Sequence, residues 1–496
     1  MKKTTPLFKI FFINLMLLCT YPNTVFAQKS IIYQPKEMQA DLIKLKNILI
    51  KTHPGLYTHQ SPKEFEKLMD NLVIEVSIPM EALSFYKIVL KLVANIHDGH
   101  TDAIAFNKLG EIISNQKRIP FQVYVKDLRI FIVKNMSSAS IPEGSEILSI
   151  DNSSNNEIIL KILEHYSSDG KSLVGMEHYL GVSYRSFNKI YPIIYGEKPS
   201  YNITYRDYIT KQIVTTKITA ISKEQYKANE LKKYKYESKK FTKEAFFFDI
   251  NKTQDYAYLK ISRFFKDSSQ EPKNTYPDYY KKCFEKIFNN DIKNLIIDLR
   301  DNDGGKASNA AYLLQYLIEK PLIPAKEVIT LGNNVYFLKI TGDTLYLDQD
   351  FDLVQKKNGN FKVTKTDILR ELEVFNPIEK HHFKGKIIVL IDGGVVSAGA
   401  TAAGLLKEYT NATFVGSETF GYAGISNGVN KIYAVGRDTQ TAIAIPIMHA
   451  EYKIDKNLQK RGVVPDYQIS STIDDIINKT DVVLEFVFKK ILYSKN

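Results

Sequence analysis

Two short runs constrain this chain more than anything else in it. Leu295-Ile296-Ile297, within residues 294–300, and Ile387-Ile388-Val389-Leu390-Ile391, within residues 386–392, are apolar at consecutive positions rather than alternate ones. A strand that is apolar on both faces has to be covered on both, which is the situation of a parallel sheet between helices. Each run passes into a glycine turn and then into a helical pattern. The first turn is Asp301-Asn302-Asp303-Gly304-Gly305, and the second is Gly393-Gly394-Val395-Val396-Ser397. Strand–helix alternation of this kind predicts an α/β core with crossover helices over residues 245–475. Ligands bind at the carboxyl ends of such strands. Gly304, Gly305 and Ser397 are all predicted at that edge.

Ser397 has two readings. Serine caps helix N-termini well, so its hydroxyl can simply close the first turn of the following helix. The unpaired N–H groups at a helix start also favour negative charge. A serine there can act as a nucleophile, with the neighbouring N–H groups holding the oxyanion it generates. The turn alone leaves both open.

The rest of the chain has room for further domains, since 496 residues exceed one ordinary hydrophobic core. Residues 28–115 read as a helical N-terminal domain. Apolar residues recur at helical spacing from Gln39 to Ile50, and Ser61-Pro62-Lys63-Glu64 carries the signature of a helix start. Residues 116–220 change to alternating, β-branched and aromatic strands such as Phe121 to Val125 and Arg129 to Val133. Residues 325–384 form a polar insertion in the core, and residues 476–496 a C-terminal helix.

Lys2-Lys3, the apolar run from Leu7 to Leu18 and Val25-Phe26-Ala27 lay out a secretory signal peptide over residues 1–27, with an uncleaved anchor as the alternative, so the chain is expected to be exported. No later stretch approaches the roughly 18 apolar residues of a membrane span. Cleavage removes Cys19 and leaves Cys283 alone, so neither an internal disulfide nor a four-cysteine zinc site is expected. The net charge of +12 is scattered, with no block of like charges, and reads as a solvated surface rather than a nucleic-acid footprint.

His97 and His100 flank Asp98-Gly99, a turn dipeptide at the end of a helical pattern. They are either surface residues at the negative end of a helix or a source of general base. No HExxH pattern or carboxylate cluster accompanies them, so no metal or other cofactor is expected.

Four motifs in order resemble the S41 serine peptidases, the C-terminal processing and tricorn-core group. They are Asp298-Leu299-Arg300-Asp301-Asn302-Asp303-Gly304-Gly305, Val396-Ser397-Ala398-Gly399, Gly416-Ser417-Glu418-Thr419-Phe420-Gly421 and Gly462-Val463-Val464-Pro465-Asp466. The resemblance covers residues 245–470. It implies a ClpP/crotonase-like catalytic core and a Ser397 nucleophile. The oxyanion hole it implies is made by N–H groups of Ala398 and of Gly304 or Gly305. The segment from Ile141 to Asn152 is similar to the PDZ domain such enzymes insert, so residues 116–220 are expected to be a PDZ-like β-rich module. The processing branch places a lysine base after Thr-Phe-Gly, where this chain has Tyr422, and tyrosine is protonated near neutrality. The tricorn-like branch takes a histidine from a preceding element, which His100 matches, with His97 as the fallback. That branch has a glutamate before the last motif, where this chain has Gln459; Asp455 and Glu451 are alternatives, and Asp466 is expected to support the fold.

The implied activity is a secreted serine endopeptidase acting on a protein or peptide through an acyl-enzyme. The changes at Tyr422 and Gln459 leave an alternative, a catalytically inactive peptide- or ligand-binding protein on the same scaffold.

Overall fold

The structure, a computed structural model, describes residues 31–181, 186–234, 246–265, 275–332, 352–357, 359–365, 370–428, 430–455 and 460–493. The expected signal peptide and Gln459 lie outside these residues. No described helix is long and apolar enough to cross a membrane.

The chain opens with β1 (Ile32–Tyr33), α1 (Pro35–Thr52), α2 (Pro62–Glu75), β2 (Met80–Glu81), α3 (Ala82–Ala94), β3 (Asp102–Ala105) and α4 (Asn107–Asn115). Helix α2 starts where the sequence marks it: Ser61 Oγ accepts the Glu64 N–H and the Glu64 carboxylate returns to the Ser61 N–H. In α1 the buried side chains include Met38, Leu42, Leu45 and Leu49, one face of a helix.

A second unit follows: β4 (Phe121–Lys126), β5 (Arg129–Asn135), β6 (Glu146–Ile150), β7 (Ser153–Ser154), α5 (Asn155–Leu163), α6 (Leu173–Leu180), α7 (Phe187–Tyr195), β8 (Ser200–Arg206) and β9 (Ile213–Thr219). Its strands pair in the order β4-β5-β6-β8-β9 and cover a hydrophobic core of their own, from Ile119 to Ala220. Helix α8 (Lys223–Lys233) leads away from it.

The main sheet is built from β10 (Phe246–Asn251), β11 (Tyr256–Ile261), β12 (Asn294–Asp298), β16 (Lys386–Ile391), β17 (Thr413–Gly416) and β22 (Tyr467–Gln468), paired in that order. The pairs from β11 through β22 are parallel, and only the β10 edge is antiparallel. The two apolar runs are the central strands β12 and β16, side by side in register. Helices α9 (Tyr276–Asn289), α10 (Ala307–Leu314) and α11 (Ala398–Tyr409) make the crossovers. This is the mixed α/β arrangement that the consecutive apolar positions require.

Two smaller sheets attach the rest. Strands β13 (Ala325–Thr330), β14 (Asp352–Gln355) and β15 (Phe361–Lys365), from the polar insertion, join β18 (Ile425–Ser426) and β21 (Met448–Tyr452). Strands β19 (Lys431–Val435) and β20 (Thr441–Pro446) take β3 as a third member. The N-terminal helices and the catalytic region therefore share one continuous hydrophobic core, running from Tyr33 through Val463. The expected single C-terminal helix is broken: α12 (Ile473–Asn478) ends at Lys479, which is left-handed, and α13 (Val482–Phe486) restarts with the Asp481 side chain capping the Leu484 N–H. Asn478-Lys479-Thr480-Asp481 offers no apolar side chain to hold a continuous helix against the sheet.

Candidate functional site

The Ser397 turn is braced from inside the core. Asp392 Oδ1, at the end of β16, accepts the N–H of Gly394 at 2.9 Å and of Asp301 at 3.0 Å, tying the two glycine turns together. The Val396 N–H donates to the Asn302 carbonyl and the Gly421 N–H to the Val395 carbonyl, both at 3.0 Å. Ser397 is held at φ 52° and ψ −128°. That conformation costs a non-glycine residue on the order of 1–3 kcal/mol and persists only where the surroundings enforce it. Its hydroxyl makes no capping bond to α11. Instead Ser397 Oγ lies 3.2 Å from His100 Nε2, so the cap reading fails on geometry.

Gly304, at φ +89°, sits directly against this serine: a Cβ there would lie 2.7 Å from Ser397 Cβ. Its N–H donates to Asn302 Oδ1 at 2.9 Å, inside its own turn. Of the two glycine donors that the resemblance offers for the oxyanion hole, that of Gly304 is thus engaged within its own turn. Ala398 is the first residue of α11, where N–H groups have no intrahelical acceptor. Among the described residues no backbone acceptor engages the N–H of Ala398 or of Gly305. The Asp298-Leu299-Arg300 part of the first motif is structural. Asp298 is fully buried, receives two bonds from Arg300, at 2.9 and 2.7 Å, and Arg300 continues to Asp481. Burial opposes its charge, but Arg300 and Lys260 hold its carboxyl well below the usual range.

His100 lies on the loop between α3 and β3. Asp98 Oδ1 accepts the His100 backbone N–H at 3.1 Å and stands 3.7 Å from His100 Nδ1, an ion-pair separation too long for a hydrogen bond. Among the described residues His100 Nδ1 is buried with no hydrogen-bond partner. Asp98 Oδ2 is met by His53 Nε2 at 2.8 Å and by the Thr101 hydroxyl at 2.7 Å. The β-rich unit holds the same loop from the other side. Asp169 Oδ1 accepts the Gly99 N–H at 2.8 Å, and the Gly170 N–H donates to the His97 carbonyl at 3.0 Å. Ser167 Oγ lies 2.8 Å from the carbonyls of Asp98 and Thr101.

Burial works to lower the His100 pKa, but Asp98 and Asp169 outweigh it and raise it above the ordinary histidine value. Burial also works to raise Asp98, yet the neighbouring His100 and His53 side chains hold it well below the carboxylate range. Asp169 goes the other way, pushed up chiefly by burial. Of the two neighbouring carboxyls, Asp98 is the one whose charged form its surroundings favour.

A cavity of about 500 Å³ opens beside the pair. Its walls include Ser397, His100, Asp102, Tyr166, Tyr179 and Phe420, so all three parts of the chain contribute. A second cluster of His178, Asp301 and Asp392 lies where α6 meets the glycine turns. There His178 pairs with Asp301 at 2.8 Å.

The remaining sequence candidates fall elsewhere. Tyr422 packs its ring on His59 at 5.3 Å and its hydroxyl against Gly170. His97 faces His59. Glu451 pairs with Lys326 at 3.0 Å, and the Asp455 N–H donates to Glu408. Asp466 accepts the Phe414 N–H and meets Lys407, a fold-supporting role. Sequence reasoning missed Asp98, read there only as part of a turn, and His53, which it did not single out. It also missed residues 167–170. The Asp98-Gly99-His100-Thr101 string held the first signal, a carboxylate two residues from the base.

Residues 255–469 match the family model described as Peptidase family S41. The structure superposes on mature CPAF complexed with lactacystin at a TM-score of 0.61, covering 92% of this chain and 97% of that one at 14% identity. For mature CPAF alone the TM-score is 0.58, with 92% and 96% covered at 15% identity. The photosystem II D1 C-terminal processing protease gives 0.41, with 89% and 96% covered at 12% identity. No curated protein matches the sequence. At such identities the two CPAF structures establish a shared fold, an α/β protease architecture. Residues 255–469 are thus a peptidase family S41 region, and the chain is a serine-type peptidase.

Proposed function

We propose that the chain is a secreted endopeptidase of the bacterial periplasm or cell envelope. Ser397 is the nucleophile and His100 the general base, without metal or cofactor. The observation that carries this reading is the 3.2 Å contact between Ser397 Oγ and His100 Nε2, residues 297 positions apart. Attack of Oγ on a peptide carbonyl passes the hydroxyl proton to His100 Nε2, and the imidazolium returns it to the leaving amine. Water, deprotonated by the same nitrogen, then hydrolyses the ester. The N–H of Ala398, with that of Gly305, faces the oxyanion. Glycine at 304 leaves the approach to Ser397 open.

The β-rich unit is PDZ-like in this reading and has a second role, since residues 167–170 hold the His100 loop. Protein or peptide chains are the substrates, entering the cavity between Tyr166, Tyr179 and Phe420. The test is turnover of an unfolded protein by wild type, Ser397→Ala and His100→Ala. Activity confined to wild type supports the reading, and equal activity in all three contradicts it. Mass measurement of the exported chain checks cleavage after Ala27.

A further inference from the structure

The base needs a partner for its second nitrogen, and two carboxylates stand near it. His100 Nε2 accepts the Ser397 proton only if the imidazole carries its own proton on Nδ1. That nitrogen is buried and finds no hydrogen bond among the described residues, a state a native structure rarely leaves unexplained. Asp98 Oδ1 lies 3.7 Å from it. The other oxygen of Asp98 is fixed. The Gly55 N–H donates to His53 Nδ1 at 3.1 Å, so the His53 proton sits on Nε2 and points at Asp98 Oδ2, 2.8 Å away. His53 and Asp98 are almost inaccessible, with side chains 0% and 4% exposed. Asp169 is the rival, but it has to satisfy the Gly99 N–H and burial pushes its carboxyl towards the neutral form.

We infer that Asp98 is the carboxylate that orients His100 and stabilises its imidazolium, and that His53 is a positioning residue that holds Asp98 for this task. The relay runs His53, Asp98, His100, Ser397, and it is assembled entirely before residue 102 apart from the nucleophile. It rests on the serine–histidine reading above. Gln459, the position that the resemblance implies for this task, lies outside the described residues. The separation at Nδ1 closes to a hydrogen bond when the imidazole gains its second proton, because catalytic contacts tighten as charge develops. Gly428 packs against the imidazole, and a Cβ there would clash with His100 Nε2. The charged groups around His100 are Asp98, Asp169 and Lys431, with Asp102 beside them.

The test uses the full chain labelled at its histidines. The His100 pKa is read by nuclear magnetic resonance, and peptide hydrolysis is followed in parallel. Asp98→Asn is expected to lower the His100 pKa, to cut kcat by about a hundredfold or more and to leave KM within about twofold. Asp169→Asn should move both much less. His53→Phe, which fills the space without a donor, should lower kcat about tenfold, and His53→Gln, which restores an N–H towards Asp98, should recover it. Thermal unfolding of each variant separates a folding defect from loss of the relay. An unchanged His100 pKa and kcat in Asp98→Asn, or a larger effect from Asp169→Asn, overturns the inference. An inactive wild type whose His100 pKa still falls in Asp98→Asn supports the coupling and rejects the peptidase reading instead.

Discussion

The two residues of the proposed pair are supported in opposite ways. Ser397 stands on a turn whose braces are local to the main sheet: Asp392, Asn302 and the backbone of Gly304 and Gly421. His100 stands on a loop whose braces come from far along the chain. His53 reaches it from the end of α1, and Ser167, Asp169 and Gly170 from the β-rich unit. The first arrangement is strained and rigid. The second is a buried polar network, in which each unsatisfied group costs more than the bond it loses. Strain at a turn is written in adjacent residues, whereas a network is written in residues hundreds of positions apart.

The comparison can be broken at either side. The largest effect is expected from His100→Ala, which should lower kcat/KM by about ten-thousandfold while leaving the thermal midpoint near wild type, measured by turnover and calorimetry. Gly304→Ala comes next. Its Cβ has no room beside Ser397 and its φ of +89° disfavours a side chain, so both activity and stability should fall, the latter by about 1–3 kcal/mol. Gly170→Ala strikes the base side alone. Its Cβ would lie 1.7 Å from the Tyr422 hydroxyl, so the segment that clamps the His100 loop must shift. Activity should drop while equilibrium unfolding of the main sheet changes little.

The smallest effect belongs to His178, where α6 meets both glycine turns. Burial works to lower its pKa, but Asp392 and Asp301 raise it to about 9. A histidine raised above its unfolded value of about 6.5 contributes stability that is complete below that pH and is lost as pH rises through the folded value. With its side chain 24% exposed and Asp301 half in solvent, the contribution is about 1 kcal/mol at most. His178→Asn should therefore lower the thermal midpoint slightly at pH 6 and not at pH 10.

How much of this the sequence carried follows the same division. Consecutive apolar positions in β12 and β16 were enough for a parallel sheet, because only burial on both faces makes sense of them. Ser61 with Glu64 was enough for a helix start. Ser397 was ambiguous from its turn alone, since a cap and a nucleophile use the same residue at the same place; only the backbone angles and the direction of the hydroxyl separate them. Asp98 and His53 were legible as turn residues, and their shared hydrogen bond spans 45 positions. Nothing in local pattern encodes which oxygen of Asp98 is held by an imidazole and which is left for the base. The break at Lys479 was hidden for a different reason: an amphipathic pattern on both sides of a polar tetrapeptide reads as one helix until packing decides.

The most direct test of the serine–histidine pair is the rate at which a fluorophosphonate labels Ser397 as a function of pH, in wild type and in His100→Ala. Asp98 and Asp169 raise the His100 pKa, and only the neutral imidazole accepts the proton. The wild-type rate should therefore rise with pH through a midpoint above the ordinary histidine value of about 6.5. The variant should label far more slowly, with that midpoint gone. Equal rates in the two proteins, or the same pH profile in both, would contradict a base supplied from residue 100.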